Sequence, residues 1–142
     1  MRKFNTIALL ALAATLVFSC SKPLDSDCPK DRFCTTEFRM IGIGFTDKQG
    51  APTAIQDHSA ILVRTGDTIK SMSNAVVNTI PGAFIVVDDS YTEKLMEAGD
   101  DIKVTATSVA TKQTKSTVIK VSGGKCACHI QKVSGAEKVA FD

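Results

Sequence analysis

Residues 101–109 and 116–121, DIKVTATSV and STVIKV, decide the fold class of this 142-residue chain. In the first segment Ile102, Val104 and Ala106 alternate with polar residues, so the apolar side chains share one face of an extended chain. Residues 112–114 form a polar turn, after which the second segment returns. Two such segments joined by a short turn predict an antiparallel hairpin with one buried face.

The same pattern extends over the rest of the chain. Residues 84–87, bounded by Pro-Gly and Asp-Asp, are wholly apolar and predict a central strand buried on both faces. One segment, residues 90–98, favours a helix of one or two turns capped by Ser90, or else a loop in which Leu95 closes the end of the fold. The other predicted strands are 37–46, 59–64, 68–72, an optional short strand at 75–80, and a strand or extended arm at 126–133.

About seven short strands with almost no helix predict an all-β protein, an antiparallel β-sandwich. In the first strand Ile41, Ile43 and Phe45 alternate with two glycines, which indicates a bend or a close approach there. The strand ends at a turn in which Gly50 is available for positive φ, and Pro81-Gly82 suits the centre of a type II turn.

Residues 1–19 have the three parts of a secretory signal peptide. Arg2 and Lys3 precede an apolar run over residues 7–18, and the small residue Ser19 ends it. The run is too short to cross a bilayer, for which about 20 residues are needed. We therefore expect this segment to be removed on export.

The exit of that segment, Val17-Phe18-Ser19-Cys20, resembles the lipobox of bacterial lipoproteins. In that family the cysteine becomes the acylated first residue of the mature chain, carrying palmitate or related acyl groups. The resemblance implies a signal peptide over 1–19, a lipidated tether over 20–27 and a β-sandwich domain over 28–142. It also implies a lipid-anchored location in the bacterial cell envelope, at the outer membrane; a chance cysteine in an ordinary secreted protein is the alternative.

Charge and aromatic content limit the partners. Without Arg2 and Lys3 the chain has 15 basic and 15 acidic residues, so it offers no general attraction to nucleic acid. It has no tryptophan and a single tyrosine, Tyr91, so few aromatic side chains are available to stack on sugars or bases.

Once Cys20 is assigned to lipid, four cysteines remain: Cys28, Cys34, Cys126 and Cys128. An even number in an exported chain predicts disulfides. A bridge between Cys126 and Cys128 is disfavoured, because alternate residues of a strand lie about 6.5 Å apart. We expect each N-terminal cysteine to be bridged to a C-terminal one, and either connectivity is compatible with the sequence.

Two metal sites are weaker alternatives. Cys126, Cys128 and His129, with the other cysteines, are zinc-ligand types, but the gaps of five residues and of one residue do not fit zinc motifs. Asp88 and Asp89 offer carboxylates to calcium, yet without the spacing of a calcium-binding loop. We therefore expect no metal and no cofactor.

Asp57, His58 and Ser59 place a carboxylate, an imidazole and a hydroxyl in sequence. The three groups of a hydrolase triad must converge in space, and neighbours on an extended segment point to alternate sides. We therefore interpret His58 as part of a solvated loop before a strand, and expect no catalytic residues.

Two further segments carry resemblances. Residues 45–52, Phe-Thr-Asp-Lys-Gln-Gly-Ala-Pro, resemble the opening of transthyretin-like and carboxypeptidase-regulatory-like domains, which implies an Ig-like or transthyretin-like sandwich. Residues 126–135, Cys-Ala-Cys-His-Ile-Gln-Lys-Val-Ser-Gly, resemble the closing segment of uncharacterised envelope lipoproteins of Bacteroidota. That family supplies no activity to transfer.

Three functions remain as hypotheses. The first is a non-catalytic, lipid-anchored module that contacts the membrane through its lipid and binds or assembles with another envelope protein. The second is a lipoprotein that binds a small ligand or a calcium or zinc ion. A hydrolase at His58 is the third.

Overall fold

The computed structural model of the protein describes residues 28, 29, 31–71 and 80–142. Asp31–Asp142 forms one compact unit and contains every strand named below. The predicted signal peptide, the tether over 20–27 and Cys20 lie outside the described residues, as do residues 75–79 of the optional strand.

The described residues confirm the all-β class and the expected number of strands. Within the described ranges a 3-10 helix, Asp89–Lys94, interrupts them. The strands are β1 Met40–Thr46, β2 Ile55–Leu62, β3 Ala83–Asp88, β4 Asp100–Ser108, β5 Thr114–Ser122, β6 Gln131–Gly135 and β7 Lys138–Ala140.

The strands form two sheets, as a sandwich requires. One sheet has the order β2-β4-β5-β6 and is antiparallel throughout. The other has the order β3-β1-β7, in which β3 is antiparallel and the short β7 is parallel to β1. The predicted hairpin is β4 and β5, and its inward residues Ile102, Val104 and Ala106 are fully buried.

The turn before β3 is built as predicted. Gly82 has φ +74°, and the N–H of Ala83 donates to the carbonyl of Ile80 at 3.1 Å. The carbonyl of Gly82 in turn accepts from the N–H of Phe45 at 2.7 Å. A Cβ at residue 82 would collide with the carbonyl oxygen of Phe45, so glycine is required there both for its conformation and for space.

Among the named strands β3 pairs with β1 alone, so the described residues do not confirm the prediction of a central strand at residues 84–87. The register between β1 and β3 shifts at Ile41/Gly42, where Val87 faces Ile41 and Ile85 faces Gly42. This bulge leaves Val86 as an extra residue, so Val86 and Val87 are both fully buried. The bulge therefore accounts for two successive buried valines in one strand.

Two other expectations are corrected. Residues 68–71 are not a strand: Thr68 makes only an isolated bridge to Ile61. β2 begins earlier than predicted, so His58 lies on a strand and not in a loop, beside a bulge between Gln56 and Ser59. Asp57 has φ +49° at this bulge, a conformation that the polar pattern of the sequence does not reveal.

The predicted helical segment is the 3-10 helix, with a different cap. Its N-cap is Asp88, whose carboxylate accepts from the N–H of Ser90, whereas the sequence pointed to Ser90 itself. Leu95 follows the helix and is 97% buried, as expected for a residue that closes the end of the fold. Of the predicted segment 126–133, the strand β6 begins only at Gln131.

Candidate functional site

A groove of about 430 Å³ opens beside a disulfide bond, and we call it the cysteine-end groove. Its walls come from the segment before β1 and from the region between β5 and β6, which are far apart in sequence. It is lined by Phe33, Thr35, Glu37, Arg39, Ser122, Gly123, Ala127, Cys128, His129 and Gln131.

The disulfide joins Cys34 to Cys128 across 94 residues, with Cα atoms 5.3 Å apart. Cys28 and Cys126 are disulfide-bonded as well. The Cys34–Cys128 bond confirms the expected bridge from an N-terminal to a C-terminal cysteine, and it decides a connectivity that the sequence left open.

The same bonds remove the zinc alternative. Zinc binds thiolates, and the sulfur atoms of Cys126 and Cys128 are oxidised in disulfides. His129, the remaining member of the proposed set, is engaged by other partners. Over the described ranges, no group of three or more His, Cys, Asp or Glu residues is arranged to hold a metal ion.

A chain of hydrogen bonds crosses the groove wall through His129. Its Nδ1 lies 2.7 Å from Oδ2 of Asp89, and its Nε2 lies 2.9 Å from the hydroxyl of Thr35. Thr35 and His129 each follow a cysteine of the same disulfide, so the covalent bond brings these two side chains together. The network therefore depends on the correct pairing of Cys34 with Cys128.

Asp89 anchors the network from the 3-10 helix. Besides His129, its carboxylate accepts the N–H of Arg39 at 2.8 Å and the N–H of Ile130 at 2.9 Å. The side chains of Asp89 and His129 are each 10% exposed. One carboxylate thus binds both segments that form the groove.

Burial opposes ionisation of Asp89, but the hydrogen bonds outweigh it. The N–H groups of Arg39 and Ile130 and the ring of His129 stabilise the charged form, so the pKa of Asp89 lies below its usual range. The Arg64 guanidinium lowers the pKa of Asp100 in the same direction, through contacts of 2.7 and 3.1 Å.

Both shifts predict acid destabilisation. A carboxyl group with a lowered folded-state pKa stabilises the fold above its unfolded pKa of about 4, and this contribution is lost as the pH falls through the folded value. The urea midpoint should change little between pH 7 and 5 on account of these groups and should fall below pH 4.

The matched variants are Asp89→Asn and Asp100→Asn, with the exposed Asp67→Asn as control. The first two should start from a lower midpoint and lose less of it on acidification, whereas the control should follow the unmodified protein. Equal acid sensitivity in all four proteins would refute the assignment.

Asp88 serves a different element from its neighbour. It is fully buried, and it accepts the hydroxyl of Ser71 at 2.6 Å and the N–H of Ser90 at 3.1 Å. Asp88 thus caps the 3-10 helix while Asp89 fixes the groove. These hydrogen-bond donors occupy the carboxylate oxygens that the calcium alternative would need.

Arg39 and Glu37 add charge at the groove. The Nε of Arg39 lies 2.8 Å from Oε1 of Glu37, and that oxygen is 3.9 Å from Nε2 of His129. The hydrogen bond from Arg39 lowers the pKa of Glu37. Both side chains are about half exposed, so solvent weakens this ion pair and it contributes little to the stability of the fold.

His129 contacts the carboxylate of Asp89 on one side and the hydroxyl of Thr35 on the other, and these are the two contacts found in a hydrolase triad. Such chemistry also needs donors for a developing oxyanion. Three backbone N–H groups at the groove already donate to other acceptors, which leaves them unable to serve an oxyanion. Arg39 donates to Asp89, Gly123 to Met96 and Ala127 to Gly124.

The triad considered from sequence does not assemble. The ring of His58 packs against Phe84 with centroids 4.7 Å apart, and the carboxylate of Asp57 accepts from the amide of Gln56 at 3.1 Å. The sequence singled out His129 only as a zinc ligand, whereas in the structure this histidine joins Asp89 and Thr35. The adjacency of His129 to a cysteine was the available signal, but it becomes informative only when the disulfide pairing is known.

No protein-family model, curated protein or solved structure matches this chain. In the part of the chain that the structure describes, no helix has both the length and the apolar character needed to cross a membrane.

Proposed function

We propose that this protein is a lipid-anchored, non-catalytic component of the bacterial envelope that binds another envelope protein through the cysteine-end groove. The observation that carries the proposal is the rim of that groove, where Phe33 is 95% exposed next to the bridged Cys34. Exposed aromatic side chains held on a rigid support are the usual anchors of protein interfaces.

The support beneath Phe33 is well fixed. Residues 34–39 have no regular secondary structure. They are held by the Cys34–Cys128 bond, the hydrogen bond between Thr35 and His129, and the contact between Arg39 and Asp89. A segment ordered in this way loses little conformational entropy on binding, which favours affinity.

The anchor rests on the amino-terminal sequence. Arg2, Lys3, the apolar run and Cys20 support export and acylation, and the resemblance to Bacteroidota lipoproteins supports a location at the outer membrane. Several acyl chains on one residue would hold the protein at the membrane, since a single chain binds only reversibly.

A binding function also fits the chemistry of the groove better than catalysis does. Thr35 and His129 are used to tie two segments together, and the groove N–H groups named above already have acceptors. The alternative of a small-ligand lipoprotein has an observation of its own, a second cavity between β2 and the 3-10 helix.

Photo-crosslinking in intact bacterial cells tests the proposal. A benzophenone amino acid at Phe33 or at Gln131, on the opposite wall, should give the same crosslinked envelope protein, whereas one at the exposed turn residue Lys48 should not. The Cys20→Ala variant should leave the membrane fraction. An identical pattern from all three positions, or none, would refute the groove as the interface, and membrane retention of Cys20→Ala would refute the anchor.

A further inference from the structure

A second cavity, of about 760 Å³, lies apart from the cysteine-end groove. It is formed by the end of β2, the turn that follows it and the 3-10 helix. Its volume falls in the range of sites for small organic ligands, which is roughly 300 to 1,000 Å³. We call it the tyrosine cavity, after Tyr91 in its wall.

The innermost residues of the cavity are apolar, although six of its nine lining residues are polar or charged. Leu62 and Ile69 are each 5% exposed and belong to the hydrophobic core, and Tyr91 is partly buried against that core. Ile69 is held in place by its N–H, which donates to the carbonyl of Ala60 at 2.8 Å. Such a floor favours a ligand with an apolar body.

The rim is cationic. Arg64, Lys70 and Lys94 line it, with Asp67 as the opposing charge. Asp100 neutralises Arg64 from behind through a two-point contact, and Asp67 offsets one of the two lysines, so Lys70 and Lys94 leave a net excess of one positive charge. The ammonium of Lys94 lies 4.5 Å from the centre of the Tyr91 ring, which keeps this cation at the cavity.

Tyr91 adds a neutral donor. Its hydroxyl oxygen accepts the N–H of Lys70 at 2.8 Å. A phenol that accepts in this way retains its own O–H proton for another acceptor. The cavity therefore combines an apolar floor with a hydroxyl donor and two ammonium groups.

We propose that the tyrosine cavity binds a small amphiphilic anion, a carboxylate or phosphate carried on an aliphatic body. The apolar part lies on Leu62 and Ile69, and the anionic head lies between the ammonium groups of Lys70 and Lys94. An aliphatic body fits better than a stacked aromatic one, because Lys94 already covers a face of Tyr91. This site is independent of the partner interface proposed above.

The protein contains its own reporter for this test. Tyr91 is the only tyrosine and the chain has no tryptophan, so intrinsic fluorescence excited near 280 nm comes from this cavity. Titration with decanoate, below the concentration at which it forms micelles, should change that emission in a saturable way with one site per chain. Decanol, the neutral analogue, should bind at least tenfold more weakly, and added salt should weaken decanoate binding.

Matched variants localise the site. The double variant Lys70→Gln/Lys94→Gln should weaken decanoate binding about tenfold by calorimetry, because two charge contacts to the head group are lost. Lys48→Gln, which removes one exposed charge elsewhere, should bind as the unmodified protein does. Binding of decyl phosphate is then compared with binding of anionic phospholipid vesicles. The comparison tells whether the bound anion is a free molecule or the head group of a membrane lipid.

Three results would overturn the proposal. These are a decanoate titration without saturation, equal affinity for decanol and decanoate, and unchanged affinity in the double variant. A folded double variant, verified by its circular dichroism, is required for the comparison. Loss of the crosslinks from the cysteine-end groove would not contradict this proposal, so the partner interface and the ligand site are tested independently.

Discussion

The variant Cys34→Ala/Cys128→Ala is expected to be less stable than the unmodified protein by about 2 to 3 kcal/mol. The bond joins residues 94 apart, but Cys28 and Cys126 stay disulfide-bonded in the variant, so the unfolded chain keeps part of its crosslinking and does not gain the full freedom of a loop of this length. For a domain of this size the loss corresponds to a melting temperature lower by roughly 8 to 15 °C. Thermal unfolding followed by circular dichroism measures it.

The loss should come from the crosslink itself, since Cys34 lies on the exposed surface and Cys128 is only partly buried. Thr36→Ala, an exposed substitution in the same segment, is the control and should shift the melting temperature by no more than a few degrees. Reductant should destabilise the double variant further, because Cys28 and Cys126 are also bonded. A double variant that melts within about 5 °C of the unmodified protein would contradict the prediction.

Replacing Phe141 by alanine is expected to cost about 3 to 5 kcal/mol. Its side chain is 2% exposed and stacks on Phe45 with ring centroids 5.8 Å apart. Its N–H also donates to the carbonyl of Thr46 at 2.8 Å. Because β7 has only three residues, the contact of Phe141, which directly follows β7, adds apolar attachment of this end of the domain to β1.

Urea unfolding followed by Tyr91 fluorescence measures this loss. Phe38→Ala is the matched control, since Phe38 is 52% exposed and its removal should change the free energy of unfolding by less than about 1 kcal/mol. Phe141→Leu should recover most of the stability. Equal midpoints for Phe141→Ala and Phe38→Ala would show that β7 does not contribute to the folded core.

The sequence predicted the hairpin of β4 and β5 to within two residues, because alternation of apolar and polar residues records a half-buried strand directly. It did not reveal the position of β3 in the sheet. The run Phe84-Ile85-Val86-Val87 shows no alternation, and only its register with β1 reveals the bulge that buries both valines.

The candidate site was harder to predict from the sequence, because a disulfide bond brings its residues together. Asp89, His129 and Thr35 are separated by 40 and 94 residues, and no local pattern relates them. The sequence predicted that an N-terminal cysteine bridges to a C-terminal one. With the partners known, the residues that follow Cys34 and Cys128 are placed side by side.

The parallel pairing of β7 with β1 has a consequence for how the chain acquires its fold. Gly44 pairs with Lys138 and Thr46 with Ala140, so the first strand of the domain is completed by the last. Contacts this distant in sequence form late and slow folding. We expect the three-stranded sheet to stay incomplete until residues 138–140 reach β1, so this sheet should form late in folding.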